Sequence, residues 1–158
     1  MPVQFKDPKP TLSGTEIDAA EMAIGVKFPN EYRHFLLRTN GGRPFPDEFD
    51  IPWEPSHSSL GWARSMVDWF LSIHDGEYSN LFKYNNVVFK GRIPKDTLAI
   101  ARDPGGNLIL MGVGDDNNGK VYFWVKDHEV EEGDTPGYDN ICLLANSLPE
   151  FLDSLTAD

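Results

Sequence analysis

Disulfide chemistry is closed to this chain: of 158 residues only Cys142 is a cysteine, so no intrachain bridge can form. The cross-linked framework of small secreted domains is therefore missing, and a reducing cytoplasm is the expected compartment. Long apolar runs are absent too. The longest, Leu108 to Met111 and Val121 to Val125, fall far short of the roughly 20 residues a bilayer requires, so no membrane association is expected. The opening Met1-Pro2-Val3-Gln4-Phe5-Lys6-Asp7-Pro8 lacks the basic start, apolar stretch and small-residue cleavage site of a signal peptide. Metal ligands are sparse: His34, His57, His74 and His128 are scattered, and neither HExxH nor a paired CxxC occurs, so no metal and no cofactor is expected. Basic charge is in deficit, 14 Lys and Arg against 25 Asp and Glu, for a net charge of -11. Without clustered Lys and Arg the chain has no footprint for nucleic acid.

What is present suits a packed core. Apolar residues make up 40% and aromatics 12%, with ten Phe and four Trp, at a length near the usual size of one domain. A single domain over residues 1–158 is expected, with residues 1–12 as an extended, proline-containing lead-in. The acidity is uneven: residues 115–158 hold 11 acidic side chains against two basic ones, Lys120 and Lys126. Such a field repels phosphates and anionic lipid, and it attracts a basic protein and speeds its arrival.

Local signals order the chain. Ser13-Gly14-Thr15-Glu16 is a capping box, Ile17, Ala20 and Ile24 recur at helical spacing, and Gly25 supplies a stop, which predicts a helix over 14–24. Phe28, Tyr32, Phe35 and Leu36 then predict a second amphipathic helix, opened by Pro29 and ended by Asn40-Gly41-Gly42. Residues 43–58 carry four prolines and read as a long loop with a short strand near Phe49 to Ile51. Trp62, Met66, Trp69, Phe70 and Ile73 match helical spacing and predict a core-facing helix over 59–73. Thr97–Ala101, Leu108–Val113 and Val121–Val125 read as three strands of a meander, separated by the turns Asp103 to Asn107 and Asp115 to Gly119. Val87 to Phe89 reads as an edge strand and Glu129 to Asp139 as an acidic loop. Ser147-Leu148-Pro149-Glu150 opens a last helix whose apolar face is Leu148, Phe151, Leu152 and Leu155. The sum is an α+β fold: an antiparallel sheet of about four to six strands with N-terminal helices and a C-terminal helix packed against it.

In order along the chain, four stretches resemble the SUKH superfamily, which takes its name from the fungal Smi/Knr cell-wall regulators and their bacterial relatives. They are Ile24-Gly25 leading through Phe28-Pro29-x-x-Tyr32-x-x-Phe35-Leu36 to Asn40-Gly41-Gly42; Ile93-Pro94 with Leu98-Ala99-Ile100-Ala101-x-Asp103 and Gly105-Gly106-Asn107; Gly119 to Trp124; and Leu144-Ala145-Asn146-Ser147-Leu148-x-x-Phe151-Leu152. Phe28 stands where the family usually has leucine and keeps the apolar character. The resemblance implies a mixed α+β fold and, for bacterial members, an immunity protein that binds and neutralises a toxin domain, often a nuclease, by occluding its active face. The fungal side of the family implies the alternative, a non-catalytic regulatory or scaffold domain that binds a cellular protein. Either way the partner is a protein, and a basic toxin domain suits the charge.

Catalytic chemistry finds little footing. Asp115-Asp116-Asn117-Asn118-Gly119 lacks the alternating ligands of a calcium loop, and Lys126 occupies its twelfth place. Gly105-Gly106 and Gly112-Val113-Gly114 join strand to strand, with no helix N-terminus to receive a phosphate. Ser56-His57-Ser58 has no assignable orienting carboxylate. The chain is therefore expected to bind and not to catalyse. The candidate partner-binding residues are Asp115, Asp116, Asp127, Glu129, Glu131, Glu132 and Asp134 for charge, with Trp53 in the proline-rich loop as an aromatic anchor.

Overall fold

Ser13 begins helix α1 (Gly14–Ile24) by a reciprocal pair of bonds: its hydroxyl accepts the Glu16 N–H at 3.2 Å, and the Glu16 carboxylate accepts the Ser13 N–H at 2.9 Å. Both bonds satisfy donors that no preceding turn could satisfy. Gly25 ends the helix at φ 91°, a left-handed conformation that glycine adopts without strain. Helix α2 (Asn30–Arg38) follows and buries Tyr32, Phe35 and Leu36. Arg33 ties the two helices by ion pairs to Asp18 at 2.8 Å and to Glu21.

The computed structural model describes residues 2–53 and 63–157. Strand β1 (Gln4–Lys6) pairs antiparallel with β2 (Arg43–Phe45), and β3 (Glu48–Asp50) with β4 (Arg64–Met66). The main sheet holds five antiparallel strands in chain order: β5 (Trp69–Phe70), β6 (Thr97–Arg102), β7 (Leu108–Gly112), β8 (Val121–Trp124) and β9 (Ile141–Ala145). Between β5 and β6, helix α3 (Leu81–Lys83) runs into a π-helical turn, Tyr84–Val88. Helix α4 (Leu148–Ser154) follows β9, with the Ser147 hydroxyl accepting the Glu150 N–H at 3.1 Å. This is the expected α+β architecture, with the three meander strands in their predicted places.

Every residue of β7 and β8 is buried, so both faces of the sheet centre are covered. Successive side chains of a strand point to opposite faces. Accordingly Phe123 meets Phe49, which in turn meets Phe151 of α4, whereas Trp124 meets Phe89 beyond the π-turn. Burial of each such ring contributes about 1.5–3 kcal/mol.

Three expectations fail, the first at Arg43–Phe45, read as part of a loop, which is strand β2 because β1 pairs with it. Residues 64–66 and 69–70, predicted to lie in a helix over 59–73, are strands β4 and β5, because β3 and β6 offer them backbone partners that a local window does not contain. The buried residues there are Val67, Phe70, Leu71 and Ser72; of the predicted stripe Phe70 is buried, whereas Met66, Trp69 and Ile73 are only half-buried, with the Arg43 guanidinium 5.5 Å above the Trp69 ring. Ser56-His57-Ser58 and Trp62 lie outside the described residues. Val87 to Phe89, read as an edge strand, instead continues and caps the π-helical turn. The cause is asparagine chemistry. Asn80 caps α3 by accepting the Lys83 N–H, and Asn85 donates to Ala99 O at 2.9 Å and accepts the Ala99 N–H at 2.8 Å. One side-chain amide thus takes the place of a neighbouring strand on β6, beyond the short reach of β5.

Asn40 works in the same way: it accepts the Ile73 N–H at 2.8 Å and donates to Ile73 O and Pro10 O, joining lead-in, helix end and sheet edge. The following Gly41, at φ 72°, leaves room for no side chain, since a Cβ would stand 2.1 Å from the Ser72 hydroxyl. The Asn-Gly-Gly turn is therefore a packing junction as well as a helix stop.

Candidate functional site

Two acidic segments flank strand β8, the turn before it and the loop after it, and one side-chain junction links them along a face of the sheet. The first is the turn between β7 and β8, where Asp115 and Asp116 are exposed. The second is the loop from β8 to β9, which begins with a single 3-10 turn, Lys126–His128, and exposes Asp127, Glu131, Glu132 and Asp134. Joining them is Asn117. Its Oδ1 accepts the Gly114 N–H at 2.9 Å, and its Nδ2 faces the Asp96 carboxylate at 3.2 Å and the Tyr138 hydroxyl at 3.2 Å. The Tyr138 hydroxyl in turn donates to Asp96 Oδ1 at 2.6 Å, and its ring packs edge-on to Tyr122, 5.7 Å between centroids. Turn, loop and strand approach thus share one polar junction.

Further ties fix the loop. Glu129 receives a forked pair from Arg92, Nε to Oε2 at 2.9 Å and a terminal nitrogen to Oε1 at 2.8 Å, in the two-bond geometry that best orients an arginine. Asn107 accepts the Lys126 N–H at 2.9 Å, and Asn140 donates to Val125 O at 2.9 Å, so both feet of the loop stand on the sheet. Burial, reinforced by the hydrogen bond to Asp96, raises the Tyr138 hydroxyl well above the usual tyrosine range, which keeps it a donor. The bond to Glu129 likewise raises Arg92.

Of the sequence-predicted residues, Asp115, Asp116, Asp127, Glu131, Glu132 and Asp134 are open to solvent on these two segments, while Glu129 is half-buried against Arg92. Trp53 stands apart. Its ring meets Phe123, 6.5 Å between centroids, on the face of β8 opposite to Tyr122 and Tyr138, and it packs half-buried against the core. Sequence reasoning missed Asp96, Asn117 and Tyr138, whose importance lies in distances across the fold. The one available signal was an aromatic residue inside an otherwise acidic loop.

Among the described residues no group of three or more His, Cys, Asp or Glu side chains is placed to hold a metal ion, and no helix is long and apolar enough to cross a membrane.

These features define an α+β chain with acidic segments before and after strand β8, linked through one polar junction. The chain belongs to the SMI1 / KNR4 family (SUKH-1), whose family model matches residues 11–154. It is also similar to an SPbeta prophage-derived uncharacterized protein, YokK, of Bacillus subtilis (strain 168), at 30% identity over an alignment covering 92% of this chain and 76% of that protein.

Proposed function

We propose that this chain is an immunity protein that binds a basic toxin domain in the cytoplasm and neutralises it by covering its active face. The observation that carries the reading is the tie between the Asp115–Asp116 turn and the acidic loop that follows β8, made through the Asp96, Asn117 and Tyr138 junction. Separate acidic loops would be a solvated surface; loops tied to one another present charge in a fixed arrangement that a partner can match. Membership of the SUKH-1 family supports a role in protein binding, and the prophage-derived relative is in keeping with a toxin-countering one. A nuclease is the favoured target class, because a face built to attract phosphate attracts carboxylates as well.

The test uses the protein encoded immediately upstream of this gene. Wild-type chain is expected to bind it, abolish its activity and restore growth on co-expression. A variant with Asp115, Asp116, Glu131, Glu132 and Asp134 changed to lysine should lose binding while melting as cooperatively as wild type. Unchanged affinity would sink the assignment of the acidic face, and binding without loss of the upstream protein's activity would move the chain to the regulatory class.

A further inference from the structure

The acidic loop has a second side. Past Asp134 it turns, and Thr135 to Tyr138 form one wall of a groove of about 670 Å³. Ile24 and Val26 at the end of α1 also line it, together with the buried Phe89, Ile93 and Pro94. The lining is mainly apolar, and Val87 and Val88, which stand between its Asn86 and Phe89 in the chain, are exposed at 65% and 48%. An open groove with a mainly apolar lining marks interaction sites in soluble proteins.

The walls are fixed in place. Asn85 binds Ala99 from both ends of its amide, Asn86 donates to Ile24 O at 3.0 Å, and the Tyr138 hydroxyl is held on Asp96. On the flank of the groove, Arg92 holds Glu129. A preformed cavity requires little ordering on binding, so apolar burial there translates efficiently into affinity.

We infer that this groove seats an apolar side chain of a basic protein partner, whose flanking Lys or Arg residues meet Glu131, Glu132 and Asp134 on the adjoining stretch of loop. The inference rests on the acidic-face reading and deepens it by naming where the partner is anchored. Charge selects the occupant. Glu131, Glu132 and Asp134 line a cleft that adjoins the groove through Lys90 and Gly91, and the Asp115–Asp116 turn lies on the far side of Tyr138. Lys90 and Lys95 also reach the groove, but the exposed acids around it outnumber them. A second copy of this chain, at net charge -11, would bring like charge to like and is disfavoured as the occupant.

The two contributions are separable because apolar anchoring acts on dissociation and rim charge acts on association and salt dependence. Thr135→Trp and Gly137→Leu, singly and together, fill the groove from its outer wall. Both positions are exposed, and a Cβ on Gly137 would meet nothing within 4 Å, so neither change disturbs the core. Binding of the purified upstream-encoded protein is measured at low and moderate salt for wild type, for the filled variants and for Glu131→Lys/Glu132→Lys/Asp134→Lys. Filling the groove should weaken binding by about tenfold or more through faster dissociation, with the salt dependence kept. Charge reversal should slow association and flatten the salt dependence. Hydrogen exchange supplies a measurement free of mutation: partner binding should slow exchange at the Thr135–Tyr138 amides. Filled variants that bind like wild type, with those amides unprotected, overturn the groove inference while the charge-reversal result decides the acidic face by itself. If neither set of variants alters affinity, both readings fall. Sedimentation showing a wild-type dimer that Thr135→Trp dissociates would assign the groove to a second copy and overturn the inference.

Discussion

Strands β6–β8 and the acidic loop that leaves β8 adjoin in sequence, yet they are held by different forces. Within the strands, side chains pack on both faces and no single contact is indispensable: Phe123 alone touches Phe49 and Trp53, and Trp124 touches Phe89. The loop has almost no apolar interior. Its place depends on a handful of polar ties: the Arg92–Glu129 fork, the Tyr138–Asp96–Asn117 junction, and asparagines at its feet. A region stabilised by burial is specified by volume and tolerates chemically similar replacement. A region positioned by hydrogen bonds is specified atom by atom, so a binding face can be altered there without endangering the fold.

The largest effect is expected where burial dominates. Phe123→Ala removes a fully buried ring that contacts both the β3 and the proline-rich segments, and should destabilise the protein by about 3–5 kcal/mol. Thermal or denaturant unfolding reads this directly. A loss below about 1 kcal/mol would mean that the site collapses around the cavity, and the contrast between core and loop would lose its basis.

An intermediate effect should fall on the boundary between the two regions. Asn85→Ala leaves the Ala99 N–H and C=O without their partner at a place that β5 does not reach, for an expected loss of about 1–3 kcal/mol. The same change frees a wall of the groove, so amide exchange should quicken across residues 84–89 more than in β7 or β8. Equal acceleration in all of these would show that the π-turn and the sheet centre open as one unit, and the boundary would have to be redrawn.

The same division explains what could be read in the sequence. The capping box at Ser13, the serine cap at Ser147 and the glycine turn at Gly105-Gly106 act over a few residues, and those elements stand where they were predicted. The meander strands are set apart by turn chemistry and are equally local. Residues 64–70 defeated the reading because Trp and Met at helical spacing are compatible with either structure, and the deciding partners, β3 and β6, lie elsewhere in the chain. Strand β9 gave no distinct signal, since Ile141–Ala145 is a short apolar run between an acidic loop and a helix cap. Of the candidate face, the charge was legible in composition. The link between its two segments was not, because Asn117, Asp96 and Tyr138 meet only after the sheet has formed.

The smallest change in stability belongs to the junction itself, and it should have the clearest signature. Tyr138→Phe deletes the donor to Asp96 and the acceptor for Asn117 while keeping the ring against Tyr122. At neutral pH the loss should be about 0.5–1.5 kcal/mol, with faster exchange confined to the loop and the 115–119 turn. The pH dependence separates this role from simple packing. The folded hydroxyl holds its proton more tightly than the unfolded one. Its contribution is therefore complete below the unfolded value, about pH 10, and is lost as pH rises through the folded value. Above about pH 10 the advantage of wild type over Tyr138→Phe should shrink, because only the wild-type unfolded state gains by ionising at this position. A gap that stays constant from neutral to alkaline pH would show that the tyrosine acts through its ring alone, and the acidic face would then have to be held by Arg92 and the asparagines without it.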